Sequence, residues 1–421
     1  MLPPFLIPSA FLAGTLFLLS ADLLFLDVGG NKIKVGYLLL LCLWLFKPEQ
    51  MFDTAKDAVL RLPKWVLLPL IPLAISVVAS ANLRHSIGWA SWFGFDLLVV
   101  ATVYSFLKVQ RFSIDRIQTS IAFSLGLIAL CGMVQFIAIY GFHHIIFNPQ
   151  LHFNIYRING ISGWPHFLNI FSFLLLPIVL LQERMSWYTR LMLVFLLFVL
   201  VQSTAKTGWV LFIALGGLLL LLDRKILLHR YLAFLLPITV AALLLPTPSP
   251  DSNRQAGSGA EKAVSLAADL NIDDKTTSGA DRMLINEMGL RVWMKHPWFG
   301  VGPRAYSTYV FERFDQELPG ENKLDANRQI NAKNENIWIE FLAESGTLFT
   351  LGFVLVLVRA LWVGGWAFAN PLHLGSWLAL VLYFLVSGQF SQSGLLTMTY
   401  AVLGIFFYSR TLPSANARHI A

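Results

Sequence analysis

The sequence predicts an all-α, polytopic membrane protein with about 12 transmembrane helices and a large helical loop on the extracytoplasmic side. Of its 421 residues, 56% are hydrophobic and only 13% are charged, which is too apolar for a soluble chain of this length. Most of the hydrophobic residues fall in runs of the length that crosses a bilayer. A single long polar segment, from about residue 246 to residue 335, interrupts these runs.

The apolar runs define the predicted spans. They lie near residues 5–25, 36–46, 65–80, 88–107, 118–140, 167–182, 189–203, 208–222, 231–246, 336–362, 374–388 and 393–409. We therefore predict transmembrane helices 1–9 in residues 1–246, an extracytoplasmic loop with amphipathic helices in residues 247–334, and transmembrane helices 10–12 in residues 335–421. The first run has neither a basic segment before it nor an A-x-A-like cleavage site after it, so we expect it to remain as a membrane anchor.

Lysine and arginine are distributed unevenly between the two sides of these spans. If the N-terminus is cytoplasmic, alternate loops hold Lys47, Lys56, Arg61, Lys64, Lys108, Arg111, Arg116, Arg184, Arg190, Arg224, Lys225, Arg230, Arg359, Arg410 and Arg418. The short loops on the other side hold only Lys32, Lys34, Arg84, Arg157 and Lys206. Cytoplasmic loops collect positive charge, whereas long loops cross largely regardless of charge, so the long loop is predicted to be extracytoplasmic.

The sequence disfavours several other functions. The net charge of +7 follows from the cytoplasmic loops, and no basic face with interleaved aromatic residues indicates nucleic-acid binding. Cys42 and Cys131 lie inside apolar runs, so we predict neither a disulfide framework nor a zinc cluster. His166 and His296 neighbour prolines and lack companions at metal-ligand spacing. A DxD sequence and a Gly-rich phosphate loop are not evident, so we predict no metal and no cofactor.

The long loop has two predicted parts. Residues 246–277 are rich in Ser, Pro, Asp, Asn and Gly, which is typical of a linker. From Ala280 onwards, apolar residues recur at helical spacing and predict an amphipathic helix that Pro297 ends. The glycines within residues 298–302 predict a turn with positive φ, and a second helix is expected over residues 304–314.

Four motifs share the predicted outer face. They are Arg157-Ile158-Asn159-Gly160 with Pro165, then Ser203-Thr204-Ala205-Lys206-Thr207-Gly208-Trp209, then Arg282 and Trp293 followed by His296-Pro297-Trp298-Phe299-Gly300-Val301-Gly302, and finally Glu335-Asn336 with Glu344-Ser345-Gly346. In this order they resemble the O-antigen polymerase and O-antigen ligase superfamily of bacterial membrane glycosyltransferases. The resemblance covers roughly residues 155–350, and Lys206 replaces the Arg that is usual in the family.

The resemblance implies a function. Members of this superfamily move a glycan from an undecaprenyl diphosphate carrier to an acceptor hydroxyl at the outer face of the inner membrane. The implied partners are an undecaprenyl-diphosphate-linked oligosaccharide donor, a glycan or lipid A-core acceptor and membrane lipids, with other polysaccharide export proteins as further candidates. An acidic residue before Asn, as in Glu335-Asn336, is similar to the polymerases, whereas the ligases usually have His there. The expected activity is repeat-unit polymerisation, with O-antigen ligase as the alternative.

Cations at the outer interface suit a lipid diphosphate, because the planar guanidinium of Arg matches phosphate oxygens with two parallel hydrogen bonds. The residues expected to bind the diphosphate are Arg157, Lys206, Arg282 and Arg291. We expect Arg282 also to act in catalysis, by stabilising charge on the departing diphosphate. The alternative is that these side chains only reach lipid headgroups from the ends of spans.

Glu335 is the candidate general base. A carboxylate beside an apolar run is partly desolvated, which favours uptake of the acceptor's proton. The alternative is a carboxylate that interacts favourably with the dipole of the span that follows. Asn336, His296 and Arg304 are further candidates for substrate binding, although Asn336 also suits a helix start.

Three other acids and one glycine are weaker candidates, and one other class of protein stays open. Asp22 and Asp96 lie in apolar spans without a visible partner. We expect Glu344 and Gly346 to have a structural role in helix packing. A transporter would also have many spans and interfacial cations. It would usually show paired, interrupted spans in two corresponding halves, and the sequence shows no such symmetry.

Overall fold

The computed structural model describes residues 6–21, 23–28, 31–60, 68–147, 149–152, 155–162, 164–182, 185–203, 206–221, 232, 278–313, 336–365, 370–386 and 393–412. Its helices are α1 (Leu6–Leu19), α2 (Val35–Cys42), α3 (Pro48–Leu60), α4 (Leu70–Val78), α5 (Leu83–Val109), α6 (Ile114–Phe136), α7 (Pro165–Leu180), α8 (Trp187–Gln202), α9 (Lys206–Leu221), α10 (Ser278–Lys295), α11 (Tyr306–Arg313), α12 (Ile337–Gly365), α13 (Pro371–Val386) and α14 (Ser393–Ser409). A 3-10 turn, Leu43–Leu45, extends α2, and a π-helical turn, Ile137–Gly141, extends α6.

Two short antiparallel hairpins join these helices. β1 (Phe25–Val28) pairs with β2 (Asn31–Lys34), and β3 (Gln150–His152) pairs with β4 (Ile155–Arg157). The rest of the described chain is helical or in turns, so the predicted all-α membrane class fits. The hairpins were not predicted, because strands of three or four residues carry too little periodicity to stand out between apolar runs.

Three helical segments of the described chain are long and apolar enough to cross a membrane: Leu83–Val109, Ile114–Gly141 and Ile337–Arg359. A fourth span results if Val35–Leu45 and Pro48–Leu60, which are bent by 102°, count as one. Six shorter apolar helices accompany them. The predicted span near residues 231–246 lies outside the described residues apart from Leu232, so the total of about 12 spans stays a prediction.

The apolar helices pack around one core. α5 lies against α14, α7 against α13 and α6 against α8. Fully buried side chains such as Phe106, Phe171 and Phe406 fill this core. Gly375 lets α13 approach α7 closely, since a Cβ there would lie 2.6 Å from the Ile178 Cα. In a bilayer, close packing of this kind holds helices together because lipid tails are as apolar as the helices.

Helix α3 occupies a segment for which the sequence predicts only a cytoplasmic loop between two spans. This predicted loop holds Lys56, the one cation of α3, and the segment is helical and packs on α5. Met51 and Ala55 are buried, while Phe52 and Val59 on another face are exposed. The apolar stripe of an amphipathic helix is shorter than a span, so it was not recognised among the longer apolar runs.

Candidate functional site

The long loop contacts the membrane helices through a turn that packs on α12. α10 ends at Lys295, and the docked turn, residues 296–305, leads to α11. The backbone N–H groups of Val301 and Gly302 donate to the carbonyl oxygens of Ala343 (3.0 Å) and Glu344 (2.8 Å). The turn therefore adds backbone hydrogen bonds to a transmembrane helix.

Helix α12 is broken where the docked turn meets it. Gly346 has φ 76° and ψ 176°, which are not helical values. A break removes the N–H partners of the preceding carbonyl oxygens, and such groups need other donors inside a membrane. Val301 and Gly302 supply these donors, and the N–H of Thr347 beyond the break donates to the carbonyl oxygen of Pro297 at 2.8 Å. The turn and the break thus stabilise each other.

Three glycines make this approach possible. Gly300, Gly302 and Gly346 have φ values of 65°, 102° and 76°, a region that L side chains rarely adopt. A Cβ at Gly302 would overlap with Ser80, and one at Gly300 would overlap with the backbone of Glu344. At Gly346 it would overlap with the backbone of the docked turn. Gly300-Val301-Gly302 in the turn and Glu344-Ser345-Gly346 in α12 therefore form the two sides of one contact.

Replacing Gly302 with Ala should loosen the docked turn. Positive φ costs a residue with a side chain about 1–3 kcal/mol, and overpacking against Ser80 adds about 1–3 kcal/mol. Cleavage by trypsin after the exposed Lys295 or Arg304 tracks the population of the open form. We expect this cleavage to become at least about tenfold faster. Gly88→Ala is the control, since a Cβ there meets open space. Equal cleavage rates in the two variants would contradict the packing argument.

Glu344 is a buried acid at this contact. Its side chain is 7% exposed, and its carboxylate accepts hydrogen bonds from the N–H groups of Arg304 (2.7 Å) and Tyr306 (3.4 Å) at the start of α11. A carboxylate in this position satisfies donors that the helix leaves unpaired and interacts favourably with the helix dipole. The sequence predicts that Glu344 contributes to helix packing, and the structure shows how: its carboxylate links α12 to the start of α11.

Tyr306 is held neutral beside this carboxylate. Burial, reinforced by the nearby Glu344, raises the pKa of Tyr306 well above its usual range. Its hydroxyl donates to the carbonyl oxygen of Ile285 in α10 at 3.0 Å. Tyr306 is therefore a link between the two loop helices.

The loop helices enclose a small core of their own. Its members are Met288, Val292, Val301, Ala305, Tyr306, Tyr309, Val310 and Ala343. Because Ala343 belongs to α12, this core continues onto the membrane helix. The indole N–H of Trp293 adds a hydrogen bond of 2.9 Å to the Thr347 hydroxyl, beyond the break. α10 is thus fixed relative to the start of α12.

The N-terminal end of α5 holds the other side of the docked turn. The Ala81 N–H donates to the carbonyl oxygen of Val301 at 2.9 Å, and the Ser86 hydroxyl donates to that of Pro303 at 2.6 Å. Asn82 donates to the Thr308 hydroxyl of α11 at 3.2 Å. Sequence analysis missed these residues, because short polar side chains between two spans resemble an ordinary loop.

The predicted diphosphate-binding cations lie on three elements. Arg157 ends β4, Lys206 begins α9, and Arg282 lies in α10, with side chains outside the described part of the structure. Arg291 also lies in α10 and is 48% exposed. Its guanidinium donates a hydrogen bond of 2.6 Å to the Glu287 carboxylate and forms an ion pair with it. Convergence of the four cations on one diphosphate stays a prediction.

Asn336, the neighbour of the predicted base, stands at the start of α12. Glu335 itself lies outside the described residues. The Asn336 side-chain oxygen accepts hydrogen bonds from the N–H groups of Trp338 (3.0 Å) and Ile339 (3.4 Å). This is the geometry of a helix N-cap. Asn336 therefore acts as the helix-start residue that its sequence context allows, and its substrate role stays a prediction.

His296 and Arg304 stand at the two ends of the docked turn, and both are exposed. The His296 Nε2 lies 2.9 Å from the Tyr309 hydroxyl, with the two rings edge to face. Arg304 has a φ of 59°, and its N–H is the one held by Glu344. Their exposure leaves both side chains accessible to a substrate.

Buried amide side chains form hydrogen bonds with the two upstream motifs, Arg157–Gly160 and the one that begins at Ser203. The Gln135 side-chain oxygen accepts hydrogen bonds from the N–H groups of Asn159 (2.9 Å) and Gly160 (2.7 Å), and its nitrogen donates to the Asn159 side chain (2.6 Å). Asn169 donates to the Ser203 hydroxyl at 2.7 Å. Sequence analysis missed Gln135 and Asn169, although a lone amide in an apolar span is a signal that could have found them.

One intramembrane acid has a partner that the sequence does not show. The Thr397 hydroxyl donates to the Asp96 carboxylate at 2.8 Å, across 301 positions of the chain. Asp22 lies outside the described residues. Within the parts of the chain that the structure describes, no three His, Cys, Asp or Glu side chains come together as metal ligands would.

Together, these features define a class: an α-helical membrane protein in which a polar loop docks on a broken span. Residues 191–357 match the family model described as O-antigen ligase. This match supports the resemblance of the chain to the O-antigen ligase and polymerase superfamily. The match begins in α8, ends in α12 and includes the docked turn and the Gly346 break, whereas the Arg157–Gly160 motif lies before it. A comparison with curated proteins gives no match.

Proposed function

We propose that the protein is a metal-independent glycosyltransferase that moves a glycan from an undecaprenyl-diphosphate-linked donor to an acceptor hydroxyl at the outer face of the bacterial inner membrane. The observation that carries the proposal is the contact between the docked turn and the Gly346 break. This contact holds α10, which contains Arg282 and Arg291, against α12, which begins directly after Glu335-Asn336. The cation-bearing helix α10 and helix α12, which begins two positions after the candidate base in the sequence, thus belong to one structural unit.

In the proposed reaction, Glu335 takes the proton of the acceptor hydroxyl. The acceptor oxygen then bonds to the anomeric carbon of the donor glycan, and the bond between that carbon and the phosphate oxygen breaks. The diphosphate leaves with the electron pair, and Arg282 stabilises its charge together with Arg157 and Lys206. Arg291 joins them by exchanging its bond to Glu287 for phosphate oxygens. His296, Arg304 and Asn336 contact the sugars.

Between the two activities of the superfamily, we propose repeat-unit polymerisation. The acidic residue before Asn336 favours it, since the ligases usually carry His at that place. Ligation onto lipid A-core is the second candidate, because the matching family model is described as O-antigen ligase. The two activities differ in the acceptor and share the donor and the charge-stabilising cations.

The test is incubation of the purified protein with lipid-diphosphate-linked repeat units, alone and with lipid A-core. Chain elongation without lipid A-core supports the polymerase. Transfer only onto lipid A-core supports the ligase. Movement of the lipid-linked glycan across reconstituted vesicles without any transfer would replace both activities with transport.

The proposed orientation places both termini in the cytoplasm and residues 247–334 in the periplasm. A cysteine introduced at Ser258, in the predicted linker, should react with a membrane-impermeant thiol reagent in cells whose inner membrane is intact. A cysteine at Lys56, in α3, is the control for the opposite face and should react only after the inner membrane is permeabilised. The reverse labelling pattern would overturn the orientation.

A further inference from the structure

The hairpin that carries Arg157 needs support from outside its own strands. β3 and β4 have three residues each, and their register pairs Arg157 with Gln150. A two-stranded hairpin is at best marginally stable by itself. An arginine that stabilises charge in a transition state must be held in place beforehand, because such a group is effective only when it is preorganised. The contacts that fix this hairpin on the membrane helices therefore bear on the proposed reaction.

The first contact is made by Gln135 at the end of α6, a side chain that is 0% exposed. Its oxygen accepts hydrogen bonds from the N–H groups of Asn159 (2.9 Å) and Gly160 (2.7 Å). Its nitrogen donates to the Asn159 side-chain oxygen (2.6 Å) and to the Ile146 carbonyl oxygen (3.1 Å). An amide side chain accepts two hydrogen bonds and donates two, so all four are made here. Because an unpaired buried amide is costly, Gln135 favours one position of this segment.

The second contact is made by Tyr140. Its hydroxyl donates to the carbonyl oxygen of Tyr156 at 2.8 Å. Tyr156 directly precedes Arg157, whereas the two N–H groups held by Gln135 follow it at residues 159 and 160. The backbone of Arg157 is thus held on both sides by side chains from the C-terminal end of α6 and the turn that extends it.

A π-helical turn brings both side chains to the same segment. Residues five positions apart in an α-helix are separated by roughly 140° around the axis, so Gln135 and Tyr140 would face different sides. Ile137–Gly141 is instead π-helical, and the Phe142 N–H donates to the carbonyl oxygen five residues back. The wider turn adds one residue, and both side chains bond residues 156–160. π-helical turns of this kind are frequent at functional sites.

We infer that Gln135 and Tyr140 are positioning residues for Arg157. They hold its backbone where the guanidinium reaches the diphosphate of the donor, and neither side chain contacts the substrate itself. This role rests on the proposed function, in which Arg157 stabilises the charge of the leaving group. A purely structural role would stabilise the hairpin without acting through Arg157. The two roles therefore differ in whether the effect of a change at Tyr140 depends on the presence of Arg157.

A double-mutant cycle between Tyr140→Phe and Arg157→Ala tests this dependence. Tyr140→Phe removes only the hydroxyl, and it should lower kcat/KM for the lipid-linked donor at least about threefold. In the Arg157→Ala background the same change should have little further effect, because it acts through Arg157. Tyr408→Phe is the matched control and should leave kcat/KM unchanged. The Tyr408 hydroxyl also donates to a backbone carbonyl oxygen, that of Phe112 at 2.7 Å, but at the other end of α6.

Hydrogen–deuterium exchange of residues 155–160 measures the same contacts independently of transfer. Gln135→Leu removes the acceptor of two N–H groups, so exchange at Asn159 and Gly160 should become at least about tenfold faster. Gln118→Leu is the matched control, since Gln118 is a buried amide of the same helix that donates to the Ile178 carbonyl oxygen at 3.0 Å. It should leave exchange in this segment unchanged.

The two measurements separate the positioning role from the proposed reaction. Unchanged exchange in Gln135→Leu, no effect of Tyr140→Phe on transfer, or an equal effect with and without Arg157 would overturn the positioning role. Faster exchange in Gln135→Leu combined with normal transfer by Arg157→Ala would contradict the proposed part of Arg157 in charge stabilisation instead. Loss of transfer in Arg157→Ala, with no further loss from Tyr140→Phe, supports both.

Discussion

Glu335→Gln is expected to lower the rate of glycan transfer by about 10²- to 10⁴-fold while donor binding survives. Glutamine keeps the size of the side chain and much of its hydrogen bonding but cannot accept the proton of the acceptor hydroxyl. The measurement is single-turnover transfer with saturating lipid-linked donor, together with the donor Kd. If Glu335 only interacts with the dipole of α12, the change costs a few tenths to about 1 kcal/mol of local stability and leaves turnover normal.

Two further variants make this test specific. Glu312→Gln removes an exposed acid from α11 of the same loop, and it should leave transfer unchanged. Glu335→His places an imidazole where the ligases usually carry one, and its proton affinity suits neutral pH. Partial rescue by His with a shifted pH–rate profile fits a base. Full activity in Glu335→Gln would leave deprotonation to solvent or to the diphosphate leaving group.

The described part of the loop, residues 278–313, could largely be predicted from the sequence, because its signals are local. The helical spacing of apolar residues predicts α10, and Pro297 predicts where it ends. The glycines predict the positive φ values of the docked turn. These properties depend on neighbours within a few positions, so a single sequence carries them.

The joining of the turn to α12 could not be predicted, because it depends on contacts between distant residues. The Gly302 N–H donates to the Glu344 carbonyl oxygen, and the Thr397 hydroxyl donates to the Asp96 carboxylate. No feature of the neighbouring sequence predicts either pair. A glycine such as Gly346 inside an apolar run is common in membrane helices, where it usually allows close packing. The N–H groups brought by the turn, together with the Ser76 hydroxyl that also donates to the Glu344 carbonyl oxygen, make a break at this glycine acceptable within a span.

The contact also explains why motifs so far apart in the chain belong together. On the C-terminal side of the break, Thr347 accepts a hydrogen bond from the indole N–H of Trp293. On its N-terminal side, the Glu344 carboxylate accepts one from the Arg304 N–H at the start of α11. A shift of α12 along its axis would therefore change the position of α10 and any group that α10 presents. For this reason, the proposed charge stabilisation from α10 should respond to changes at the break, where no substrate contact is proposed.

The second large effect is expected at Arg282 in α10. Arg282→Ala should lower transfer by about 2–4 kcal/mol of transition-state stabilisation, the range typical of a lost preorganised donor. Arg282→Lys should recover only part of this loss, because a point charge cannot reproduce two parallel hydrogen bonds to a phosphate. The measurement is kcat/KM for the lipid-linked donor with each correctly inserted variant.

Two other cations of α10 are the internal comparisons for Arg282. Lys295→Ala removes an exposed charge at the end of the helix and should change kcat/KM little. Arg291 forms an exposed ion pair with Glu287, and such i,i+4 pairs are worth only about 0.2–0.5 kcal/mol. A loss in Arg291→Ala well above that range places its guanidinium on the diphosphate as well. Near-normal turnover in Arg282→Ala would instead reassign Arg282 to contact with lipid headgroups, and the leaving-group charge would then rest on Arg157 and Lys206.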